Sequence, residues 1–102
     1  MSEKVKDWKI IITNFDLNKR VQIGLGNYPS IINQQVEYFN NKKDLVKTYN
    51  KIIKEYLNKS YDWNSHGEGA MKFYYYDKKG NDIYTLILAH YKNEEITEGL
   101  LQ

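Results

Sequence analysis

Between Asn41 and Leu57 the apolar residues Leu45, Val46, Tyr49, Ile52, Ile53, Tyr56 and Leu57 recur at helical spacing, and lysines fill most of the other positions. The spacing predicts one amphipathic helix over Asn41–Asn58. Asn40-Asn41 supplies its N-terminal cap, and Asp44 follows at the third position, where a carboxylate favours the start of a helix. Downstream, Met71–Tyr76 and Ile83–Tyr91 are dense in aromatic and aliphatic residues and flank Asp77-Lys78-Lys79-Gly80. Asp77 at the first turn position and Gly80 at the fourth predict a hairpin closed by a type I turn with a glycine bulge. That register pairs Tyr76 with Asp82, Tyr74 with Tyr84, Lys72 with Leu86 and, carried further, Glu68 with His90.

The N-terminal half is less regular. Trp8–Phe15 reads as a strand, and Asp16-Leu17-Asn18-Lys19 carries turn residues. Arg20–Leu25 alternates polar and apolar, which predicts a first hairpin with Val21, Ile23 and Leu25 facing the core. Gly26–Ser30, with the single proline Pro29, reads as a break. Ile31–Phe39 fits either a helix capped by Ser30 or a strand. The strand is preferred, because the cap at Asn40-Asn41 marks where a helix begins and not where one continues. Tyr61–Gly69 reads as a loop, and Asn93–Gln102 as one helical turn. The expected fold is α+β: an antiparallel sheet of four or five strands with the helix packed across one face. Its 102 residues suit a single domain, with residues 1–6 and 98–102 loose at the ends.

Composition narrows the chemistry. There is no cysteine, which excludes disulfides, thiolate metal sites and cysteine nucleophiles. The N-terminus lacks an apolar signal region, and no apolar run approaches the roughly 18 residues of a membrane span, so a cytoplasmic protein without a membrane partner is expected. The formal net charge is +2, too balanced to imply a nucleic-acid partner alone, and Arg20 is the only arginine. The abundance of Lys, Asn, Ile and Tyr matches AT-rich codons and suggests a low-GC bacterial, phage or mobile-element gene. No cofactor and no small-molecule ligand is indicated.

Three constellations of side chains could carry chemistry. His66 and Glu68, with His90 and Lys72, would converge at the open end of the second hairpin. They form an acid–base quartet of the kind a small ribonuclease needs. Such a set assembles easily by chance in a lysine-rich chain, so no catalytic residues are assigned and the chain is expected not to be an enzyme. A carboxylate–histidine metal site from Asp62, His66, Glu68 and His90 is likewise set aside, surface residues being the commoner reading. Along the helix, Lys43, Lys47, Lys51 and Lys54 lie away from the apolar stripe. They make a nucleic-acid footprint the second reading, beside the plainer one of a solvated helix face.

The ten tyrosines carry the most information. On the second hairpin Met71, Phe73, Tyr75, Ile83, Thr85, Ile87 and Ala89 share one face, assigned to the helix. The opposite face then bears Lys72, Tyr74, Tyr76, Tyr84, Leu86, Leu88 and His90, too apolar to stand open without a cover. Either another part of the chain covers it or a partner does. Tyr74, Tyr76, Tyr84 and Lys72 are therefore the expected protein-contact residues. The function expected is a small non-catalytic binding protein, an inhibitor or accessory factor, that contacts another protein or forms a homodimer.

Overall fold

A computed structural model of the chain describes residues 7–65, 69–92 and 94–95. It shows an α+β fold: β1 (Trp8–Ile23), β2 (Gly26–Phe39), α1 (Lys42–Lys59), β3 (Asp62–Ser65), β4 (Ala70–Tyr76), β5 (Asp82–Tyr91) and β6 (Glu94–Glu95). Five strands form one antiparallel sheet in the order β2-β1-β5-β4-β3, and the two-residue β6 pairs with the end of β5. Among the described residues no helix is long and apolar enough to cross a membrane.

The helix starts where the cap residues place it. The Asn41 side chain accepts from the Asp44 amide at 2.9 Å and donates back to the Asp44 carboxylate at 3.3 Å, which satisfies one of the amides a helix start leaves open. The stripe points at the sheet. Leu45, Tyr49 and Ile53 are buried and join Ile10 and Ile12 of β1, Met71 and Phe73 of β4, and Ile87 and Ala89 of β5 in one core. Val46, Ile52 and Tyr56 flank it half-buried, and Leu57, at the edge of the stripe, is exposed. The buried strand residues of this core all come from the three central strands.

The second hairpin has the expected register, with Tyr76 opposite Asp82, Tyr74 opposite Tyr84 and Lys72 opposite Leu86. Its turn is held by Asp77. The Asp77 carbonyl accepts from the Gly80 amide at 3.0 Å, and its carboxylate accepts from the Lys79 and Asn81 amides at 2.8 Å each. Gly80 sits at φ +83°, a conformation that a side chain resists. The hydrogen bonds from Asn81 hold the Asp77 carboxyl below the usual aspartate range. The pairing ends at Ala70 with Leu88, so the expected Glu68–His90 pair lies outside the described residues.

The first half differs from expectation in two ways. Asp16–Lys19 does not reverse the chain: β1 runs straight through it to Ile23, and the reversal comes at Gly24-Leu25. The turn chemistry at Asp16 is real, since its carboxylate accepts from the Asn18 amide at 2.9 Å, but it shapes an irregularity in the β1–β2 register. Gly24 at φ +60°, followed by a non-glycine of negative φ, is the pattern of a two-residue turn with glycine first. Gly26–Ser30 is no break either. β2 begins at Gly26, and Pro29 is tolerated because β2 is an edge strand. Ile31–Phe39 is the preferred strand.

As a result, Val21, Ile23 and Leu25 are not core. They lie 47%, 63% and 108% exposed on a two-stranded arm that projects beyond the reach of the helix. Two smaller corrections follow. Asp62–Ser65, within the stretch read as a loop, is the short edge strand β3, because β4 offers it an open backbone edge. Glu94 and Glu95, within the stretch read as a helical turn, pair with Tyr91 and His90 instead, and the remainder of that tail lies outside the described residues.

The core assignment predicts sharply unequal costs. Ile53→Ala is expected to lower stability in urea melts by about 2–5 kcal/mol, and Lys51→Ala, on the exposed side of the same helix turn, by under about 0.5 kcal/mol.

Candidate functional site: an aromatic ladder on the open sheet face

Alternation along each strand sends one set of side chains to the helix and the other to the far side of the sheet. On β5 the far-side residues are Tyr84, Leu86, Leu88 and His90. The ladder places Phe15, Thr13, Ile11 and Lys9 of β1 directly opposite them. β4 adds Lys72, Tyr74 and Tyr76, and β2 adds Gln34, Val36 and Tyr38. Among the described residues no element packs on this face; the single helix lies on the other. Ile11, Phe15, Tyr74, Tyr84, Leu86 and Leu88 remain half-exposed, and Tyr76 is 62% exposed.

The aromatic side chains form a continuous ladder across it. Phe15 stacks on Tyr84 with ring centres 4.7 Å apart, and Tyr84 stacks on Tyr74 at 5.3 Å. Tyr74 meets Tyr61 at 6.4 Å in a tilted arrangement, and Tyr61 stacks on Tyr76 at 5.0 Å. These spacings are those at which aromatic pairs attract beyond their buried area. Lys72 brings its Nζ 5.6 Å from the Tyr84 ring, a cation–π contact at the rim of the ladder. The three expected tyrosines and Lys72 are therefore brought together.

Phe15 and Tyr61 were not anticipated. The alternation of Lys9, Ile11, Thr13 and Phe15 against the inward Ile10 and Ile12 is the signal that marks Phe15. Tyr61 had no signal, because its place depends on how the chain leaves the helix. Ser60 fixes that exit: its hydroxyl donates to the Tyr74 carbonyl at 2.9 Å and accepts from the Tyr74 amide at 3.1 Å, and the Tyr61 amide donates to the same carbonyl at 2.8 Å. The Tyr61 hydroxyl then donates to the Asp82 carboxylate at 2.6 Å.

These contacts set the acidity of the phenols. The bond to Asp82 is the main cause that pushes the Tyr61 pKa well up, because ionising the phenol would face it with a carboxylate. Burial raises Tyr84, with the neighbouring Tyr74 adding to it. The ladder is thus an aromatic surface edged by hydroxyl groups and the Lys72 ammonium, suited to apolar contact with hydrogen bonds at its rim.

The helix side carries a separate polar group. Thr85, fully buried, donates to the Asn14 side-chain oxygen at 2.6 Å and lies 2.9 Å from the Tyr75 hydroxyl; Asn14 in turn donates to Asn33 at 2.7 Å. Above it Lys59 folds back over the rings of Tyr56 and Tyr75 at 4.1 and 4.3 Å, and partial burial lowers its pKa. Each member is satisfied by its neighbours, so this cluster pins the sheet to the end of the helix.

The remaining sequence candidates are placed only in part. His66 and Glu68 lie outside the described residues. His90 stands opposite Lys9 on β5, two outward positions from Leu86, which Lys72 faces. Asp62 is on β3 opposite Tyr74, and among the described residues no group of three or more metal-ligating side chains forms. Lys43, Lys47, Lys51 and Lys54 are exposed on the far side of the helix. A cleft of about 610 Å³ between α1 and β2 is lined by Gln35, Glu37, Ile52, Glu55 and Tyr56 and is open to solvent. Comparison of the chain with protein-family models, curated proteins and solved structures finds no match.

Because Tyr61 and Tyr84 hold their protons more tightly folded than unfolded, both contribute stability that is fully present below the ordinary tyrosine pKa and is lost as pH rises through their folded values. Stability is expected to fall as pH rises past about 10, with part of that fall absent in Tyr61→Phe; denaturant melts across alkaline pH test it.

Proposed function

We propose that the chain is a small non-catalytic binding protein whose open sheet face, centred on Tyr74, Tyr76, Tyr84 and Lys72 and extended by Phe15 and Tyr61, is the surface that engages a protein partner. The observation that carries this is the five-ring ladder standing on a face that no described element covers. Tyrosine provides large contact area at low entropic cost with a hydroxyl at its tip, which is why it concentrates binding energy at interfaces. Ring-to-ring stacking and the bonds at Ser60 and Asp82 hold these side chains in place beforehand, so little ordering cost remains to be met on binding. An inhibitor or accessory factor of a low-GC bacterial, phage or mobile-element system, acting in the cytoplasm, fits such a surface.

Nucleic-acid binding through Lys43, Lys47, Lys51 and Lys54 is the second reading, favoured by the exposure of that stripe. Single-strand binding draws on cations and stacking rings in the same groove. Here the stripe lies beyond the helix and the ladder lies on the other face of the sheet, which counts against combining them. A ribonuclease-like activity is a distant third, since half of its quartet has no described position.

The chain immobilised in a lysate of a low-GC bacterium is expected to capture a protein equally well with and without nuclease. Tyr74→Ser with Tyr76→Ser should weaken that capture by at least about 2 kcal/mol. The same pair should cost the monomer about 1.5–4.5 kcal/mol, the value of the three ring contacts removed. Lys47→Glu with Lys51→Glu should leave capture unchanged. Capture that nuclease or the lysine variants abolish would transfer the function to the helix.

A further inference from the structure

β2 leaves a different kind of surface open. What it exposes is a row of backbone amide and carbonyl groups along a sheet edge, and such groups pair best with another strand. β2 bonds to β1 on one side and, among the described residues, ends the sheet; at the other end β3 is only four residues long, whereas β2 runs for 14. Edges are ordinarily protected by lysines, proline, bulges or brevity. In this lysine-rich chain β2 has no lysine and no arginine, and Glu37 is its only charge. Pro29 and the register shift near Ile32 fall in its first half, so Asn33–Phe39 is left as a regular, proline-free edge.

We propose that this edge pairs with β2 of a second copy of the chain, antiparallel about a two-fold axis at Val36. Neighbouring pairs on an antiparallel ladder alternate between two kinds, so a two-fold axis requires one residue to face its own counterpart. With Val36 there, Gln35 faces Glu37 of the second copy, Gln34 faces Tyr38 and Asn33 faces Phe39. The self-facing position is apolar, and the one carboxylate meets an amide donor in place of its own image, which would repel it. Val36 and Tyr38 are 40% and 56% exposed and available for this contact.

The same register explains the arm. Ile32 falls opposite Asn40 of the second copy, so the arm continues past the start of that copy's helix. Its exposed Val21, Ile23 and Tyr28 then have something to lie against. The paired stretch Ile32–Asn40 supplies nine residues from each side, and the arm has to add the rest of the roughly 20–30 that a stable interface uses. The edge is separate from the ladder: the dimer leaves Tyr74, Tyr76 and Tyr84 open, and the inference stands whether or not they bind a partner.

Sedimentation velocity and light scattering on the full chain, from micromolar to millimolar concentration, test this. The parent should be a dimer. Val36→Lys, which sets like charges against each other at the axis, should weaken dimerisation at least about tenfold, while Tyr74→Ser with Tyr76→Ser should not. Amide exchange across residues 33–39 of the parent should slow as concentration rises, a readout that needs no variant to fold. A parent that stays monomeric, a dimer indifferent to Val36→Lys, or exchange across 33–39 that ignores concentration would overturn the proposal.

Discussion

One helix cannot cover two faces of a sheet, and the rest of this structure follows from that. A helix is about 10–12 Å wide. Five strands spaced about 4.8 Å apart span about 19 Å between the outer axes. The helix therefore seals the central strands, where Tyr49, Phe73, Ile10, Leu45, Ile87 and Thr85 lose essentially all solvent contact. Among the described residues it leaves the outer edge of β2 and the opposite face to other solutions. A chain of this size gains enough from one core to fold, but it has little left over with which to cover a second apolar face.

The opposite face meets the shortage with rings. Stacked tyrosines shield part of each other's surface, and they keep a hydroxyl at the boundary with water, so the face tolerates exposure better than aliphatic side chains would. Lys72 and the Tyr61–Asp82 bond pin the margins. The exposure of this face is thus managed by ring geometry and not by charge. The helix lysines stand exposed on the other side of the molecule, away from the ladder.

How much was legible in the sequence depended on whether the deciding contacts were local. Asn41 with Asp44 and the stripe through Ile53 lie within a few turns of helix, so their pattern alone placed α1. Asp77 and Gly80 set the turn, and the turn set every pair from Tyr76–Asp82 to Lys72–Leu86. From that register the two faces of the hairpin, and with them Tyr74, Tyr76 and Tyr84, could be read correctly. Asp16–Lys19 misled because the hydrogen bond from the Asn18 amide to Asp16 serves an irregularity in a strand as well as it serves a reversal. The apolar alternation of Val21, Ile23 and Leu25 implied burial, yet their exposure follows from where the helix ends, which is a long-range fact. Tyr61 and β3 were hidden for the same reason: only the position of β4 gives them a partner.

The central claim is that the ladder face of the isolated chain is open while the helix face is sealed. Photochemically induced nuclear polarisation of tyrosines, using a soluble flavin, reports this ring by ring because the dye must touch the ring it polarises. Tyr76 and Tyr74 are expected to give clear signals and Tyr49, with no exposed surface, none. Signals from Tyr74 and Tyr76 as absent as that from Tyr49 in the monomer would show the face already covered by the chain itself, and would contradict its reading as a binding surface.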